Sequence, residues 1–149
     1  MAAHQSILFL ALLLITTSSL IHSFKINGKD VVEATIRGRL TCTAPGTRPL
    51  PNSPGIAGVN VVLMCNGDQP SLGQALTDAT GFFTVVLKST DGIIYDPSLC
   101  LLKVKLPLAE CKVFPPTGTL YAVPALTGVV ESLLTCIASY VLGPFSLGA

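Results

Sequence analysis

The chain has 149 residues, of which 50% are hydrophobic by type and 11% charged, and its 9 Lys+Arg against 8 Asp+Glu give a formal net charge of +1. A surface so close to neutral, with no long charge run, argues against nucleic acid as a partner and against electrostatic docking on anionic membranes. It also lowers repulsion between copies and so favours self-association through apolar surface.

In chain order, the first element is a leader. Residues Ile7 to Ile15 form an unbroken apolar run, followed by Thr16-Thr17-Ser18-Ser19 and a small residue at Ser23. That run suits the apolar centre of a secretory signal and is too short to span a bilayer. We read residues 1–23 as a signal peptide cleaved after Ser23, with Ser19 as the second choice, and residues 24–149 as a single domain with one continuous core. Both histidines, His4 and His22, fall in the leader. The mature chain then has no imidazole, which removes Ser-His-Asp and Cys-His nucleophiles and His-based metal catalysis. The eight carboxylates are Asp30, Glu33, Asp68, Asp78, Asp91, Asp96, Glu110 and Glu131. No spacing among them singles out a glycosidase pair, and several adjoin Gly or Pro, where turn chemistry accounts for them. The expectation is a protein that is not an enzyme, with no catalytic residue, no cofactor and no metal.

Short β-type runs follow, separated by turn signals and with no sustained helical periodicity. Val31 to Cys42 alternates over much of its length; Gly58 to Cys65 has its apolar residues on odd positions; Phe82 to Leu87 and Cys100 to Leu106 complete the set. Between the first two, Ala44 to Gly55 holds Pro45, Pro49, Pro51 and Pro54 and reads as an exposed loop. Pro115-Pro116-Thr117-Gly118 is a second break. The tail from Leu120 to Leu147 is apolar enough to raise a glycolipid-anchor signal, but Glu131 and Gly143-Pro144 interrupt it, and one or two closing strands are the better expectation. The whole is an all-β chain.

Five cysteines, Cys42, Cys65, Cys100, Cys111 and Cys136, lie in the mature part. In an exported chain they read first as disulfide partners, and no pair has the spacing of a zinc site. An odd number leaves one over, which either links two copies or lies buried as an inert thiol. The remaining local signal is Thr77-Asp78-Ala79-Thr80-Gly81-Phe82, a turn-forming Asp and a glycine suited to positive φ just before an aromatic strand.

Three motifs in order, Gly38-x-Leu40-x-Cys42, then Gly58-Val59-x-Val61-x-Leu63-x-Cys65, then Thr77-Asp78-x-x-Gly81-x-Phe83, resemble the pollen Ole e I family. Cys100, Val104, Pro107-Leu108, Cys111, Pro116-Thr117-Gly118 and Leu120 look like its phylloplanin branch. The resemblance implies a small disulfide-stapled β-sandwich or barrel of immunoglobulin-like or transthyretin-like outline, secreted to the plant surface, apoplast or cell wall. For the phylloplanin branch it implies inhibition of fungal or oomycete spore germination by non-enzymatic binding or membrane action, with a microbial surface or membrane as partner. For the wider family it implies a structural or signalling role in cell wall or cuticle. No catalytic residue is carried over.

The family pattern also bears on the cysteines. Pro45 stands where relatives carry a sixth cysteine, the partner expected for Cys100. The family scheme then implies Cys42 with Cys111 and Cys65 with Cys136, leaving Cys100 free. If instead the four phylloplanin-like cysteines pair among themselves, Cys136 is the odd one. A carbohydrate-binding role has less support, since Trp is absent and Tyr95, Tyr121 and Tyr140 are the only tyrosines. Asn52-Ser53 is followed by Pro54, so it is not a usable glycosylation site.

Overall fold

In a computed structural model, residues 22–65, 71–108 and 111–148 are described, and the expected leader lies almost wholly outside them. Among the described residues ten strands run in chain order: β1 (Lys25–Ile26), β2 (Lys29–Arg39), β3 (Asn60–Met64), β4 (Gly73–Leu76), β5 (Phe82–Lys88), β6 (Leu101–Lys105), β7 (Thr119–Ala122), β8 (Pro124–Glu131), β9 (Thr135–Leu142) and β10 (Ser146–Leu147). The one helical element among the described residues is a 3-10 turn at Pro97–Leu99, capped by the Asp96 side chain. No helix there is long and apolar enough to cross a membrane.

The strands form two five-stranded sheets. In the first, β2 lies at the centre, with β9 parallel to it on one edge, β1 and β5 antiparallel on the other, and β8 beyond β9. In the second, the order is β10-β7-β6-β3-β4, all antiparallel. This is an all-β, disulfide-stapled sandwich. Its core is filled by the inward residues of both sheets, Val31, Ala34, Ile36, Phe83, Val85, Ala138 and Tyr140 facing Val61, Leu63, Leu102, Val104 and Leu120.

Alternation explains most of these positions, because successive side chains of a strand point to opposite faces. In β3 and β6 the buried residues keep one parity, as expected. In β2 the parity changes: Val31 is buried on an odd position, Ala34 and Ile36 on even ones. A bulge is the cause. The register against β9 shifts between Val31 and Glu33, leaving Val32 unopposed and turning the rest of the strand over. Asn27 and Gly28, at φ 53 and 78, make the tight turn that joins β1 to β2, a hairpin beyond the sequence expectations. The tail expected to give one or two strands gives four, β7 to β10, divided between the two sheets.

Of the two disulfide schemes, the one implied by the wider family is corrected: Cys65 is bonded to Cys100 and not to Cys136, so Cys100 is not free, and Cys136 is the free cysteine, as in the alternative scheme, buried at 1% exposure. The strand register gives the reason. β3 and β6 are antiparallel with Met64 opposite Leu101, so the next residues out along the ladder are Cys65 and Cys100. Cys136 is the second residue of β9, in the other sheet, beside Val31. The second bridge joins Cys42 to Cys111.

Candidate functional site

Where β2 ends, the Thr77 to Phe82 turn meets the proline-rich loop. The Asp78 carboxylate accepts hydrogen bonds from the Thr80 amide at 2.9 Å, the Thr80 hydroxyl at 2.8 Å and the Phe82 amide at 3.0 Å. The Thr80 hydroxyl, foremost, and then the amides of Thr80, Phe82 and Gly81 hold this exposed carboxyl below its ordinary value of 3.8. Thr77 is buried, and its hydroxyl accepts from the Val59 amide at 2.9 Å. Gly81 has φ 87, and its carbonyl oxygen accepts a hydrogen bond from the Leu40 amide at 2.8 Å. A Cβ there would lie 2.3 Å from the Leu40 carbonyl oxygen, so the turn seats against β2 only because the residue is glycine.

The turn also positions charge. The Arg39 Nε donates to the Thr80 carbonyl at 3.0 Å and its Nη2 to the Ser53 carbonyl at 2.7 Å, while its guanidinium lies 5.3 Å from the centroid of the Phe82 ring. Arg39 is thus held between the turn, the proline-rich loop and an aromatic face. Arg37, two residues earlier, projects from the same face of β2. Gly38 between them points inward, where an added Cβ would fall 2.5 Å from Leu142 Cδ1 and 2.7 Å from Phe83 Cζ.

These residues border a cleft of about 460 Å³. Arg37, Arg39 and Arg48 supply its charge; Phe82, Phe114, Val141, Leu142, Pro144 and Phe145 supply most of its apolar wall. Three constraints assemble it. The Cys42–Cys111 bridge ties the segment carrying Phe114 to the end of β2. The Gly46 amide donates to the Phe145 carbonyl at 2.7 Å, joining the proline-rich loop to the chain after β9. The Phe145 ring leans on Phe83, centroids 6.3 Å apart.

A second surface feature is the β8–β9 hairpin. Its tip exposes Leu133 at 90% and Leu134 at 78%, with Val130 on the adjoining strand at 70%. Lys29 donates to the Ser132 carbonyl at 2.8 Å and pairs with Glu131 at 3.8 Å, which anchors the base of the tip to β2.

Of the residues singled out in the sequence, Thr77, Asp78, Gly81 and Phe82 form one unit, and Phe82 reaches the cleft. Cys42 and Cys111 lie near it, while the Cys65–Cys100 bridge and Cys136 do not line it. The arginines and the apolar wall were not legible, because they come from four separate stretches. A local signal existed in Arg37-Gly38-Arg39, two like charges on one face of a strand.

No family model matches this chain, and no curated protein matches it. Among solved structures it is similar to the crystal structure of the major plantain pollen allergen Pla l 1, at 18% identity over 75% of this chain and 95% of that chain, with a TM-score of 0.35. At that score the fold rests on the strand pairing above and not on the likeness.

Proposed function

We propose that this chain is a secreted plant-surface defence protein, phylloplanin-like within the pollen Ole e I type, that hinders fungal or oomycete spore germination without catalysis, by inserting apolar side chains into the microbial membrane. The observation that carries the proposal is the hairpin tip at Leu133 and Leu134, which with Leu99 are the most exposed leucines among the described residues. Large side chains held in water by a braced β-hairpin mark a surface for contact with apolar matter. Moving two leucines from water into hydrocarbon yields about 3–6 kcal/mol, which gives a weak and reversible hold on a membrane. The two disulfides suit an oxidising extracellular setting.

The test uses the chain from Phe24, produced through an oxidising secretory route, beside a Leu133→Ser/Leu134→Ser variant. Co-sedimentation with phosphatidylcholine vesicles and oomycete spore germination are measured for both. Vesicle binding and inhibition by the intact chain, with both reduced at least tenfold in the variant, are the expected results. Intact protein that neither binds vesicles nor inhibits germination would sink the proposal and favour a structural role in wall or cuticle.

A further inference from the structure

The cleft at the end of β2 joins an apolar wall to cationic groups with no anionic partner among the described residues. The ion pairs among the described residues use Lys25, Lys29 and Lys88, and none uses Arg37, Arg39 or Arg48. No carboxylate lines the cleft. A guanidinium has five donors in a planar fork, and Arg39 spends two on the carbonyls of Thr80 and Ser53, which fixes its orientation. Arg37 and Arg48 are exposed and make no side-chain hydrogen bond to the described residues. Three positive charges around one opening repel each other, and an anion between them removes that repulsion.

We propose that this cleft binds an aliphatic monocarboxylate, with the carboxylate held by Arg37 and Arg48 beside the fixed Arg39, and the chain laid along Val141, Leu142 and Phe145. Forked guanidinium donors match the two oxygens of a carboxylate. Apart from the arginines the lining is mostly apolar, and the hydroxyls of Thr41, Thr43 and Thr47 in it are already engaged, the first two with each other and the third with the Ala44 carbonyl, which suits a body without polar groups. The volume of about 460 Å³ lies within the range of small-ligand sites, roughly 300–1,000 Å³. The proposal stands on the cleft alone. It is independent of the hairpin tip and of any effect on spores.

Titration calorimetry with laurate and with dodecanol, both below their aggregation limits, tests it on the chain from Phe24 and on an Arg37→Gln/Arg48→Gln variant. Both arginines are exposed, so the variant keeps the fold, which thermal unfolding checks. The expected result is laurate binding at least tenfold tighter than dodecanol, with that preference gone in the variant and dodecanol affinity unchanged. Equal affinity for the two, a preference that survives the double substitution, or no binding of laurate would each overturn the proposal. Spore germination plays no part, so a chain without defensive activity would still pass.

Discussion

Tyr140 stands in β9 opposite Ile36 of β2 and Leu126 of β8, at 1% exposure, and its hydroxyl has no hydrogen-bond partner among the described residues. A buried hydroxyl left unpaired costs about 1–3 kcal/mol. Tyr140→Phe removes the polar atom and keeps the ring, and should raise stability by about 1 kcal/mol, read as a higher urea midpoint. A second readout is alkaline. Burial, then the charges of Asp96 and Cys136, push this phenol up to about 12 from 10.0. The unfolded chain therefore loses this proton first, and stability falls by roughly 3 kcal/mol as pH rises through that window. Tyr140→Phe should abolish that fall; a wild-type slope in the variant would assign it to another group. Gly81 offers the opposite case. Gly81→Ala places a Cβ against the Leu40 carbonyl at a φ of 87, and a loss of at least about 2 kcal/mol is expected in the same titration. An unchanged midpoint would mean that the turn does not seat on β2 as described.

The strands legible in the sequence are those with one face buried and the other wet. β3, β5 and β6 lie within a residue or two of the expected runs because their alternation is uninterrupted. β4, Gly73–Leu76, gave no signal: it is a four-residue edge strand with no β-branched residue. The tail misled for a different reason. β8 leaves Leu126 and Val130 exposed, so its apolar residues do not alternate with polar ones, and composition alone could not count the strands. Placing Cys136 in β9 required that count, which is why the pairing carried over from the family pattern failed. β9 is flanked on both edges, by β2 and β8, and should keep Cys136 out of reach of reagents. A thiol probe at neutral pH should label the native chain slowly and the urea-unfolded chain at one site, mapped to Cys136 by peptide analysis. Label on Cys100 instead would restore the Cys65–Cys136 bridge.

For the molecule as a whole, the two disulfides are nested, with the loop closed between Cys65 and Cys100 lying inside that closed between Cys42 and Cys111. Each alone would stabilise by about 4 kcal/mol in the chain-entropy model, and together they give less than the sum because the outer loop is already shortened by the inner one. A Cys65→Ala/Cys100→Ala variant should lose about 2–4 kcal/mol with an unchanged cleft. A Cys42→Ala/Cys111→Ala variant should lose a similar amount and laurate binding with it, since that bridge brings Phe114 to the cleft. Equal retention of laurate by both variants would separate the bridge from the site.

The parallel pairing of β2 with β9 joins segments roughly a hundred residues apart, so the first sheet cannot close until the end of the chain arrives. For the secreted protein proposed above, exported with the N-terminus leading, Cys42, Cys65, Cys100 and Cys111 would all enter an oxidising lumen before Cys136. Each therefore has its partner at hand while β2 still waits for β9. The cysteine left over is the last to be delivered, and the strand that carries it closes the sheet over its sulfur, so order of synthesis and final burial both protect it from a wrong bond.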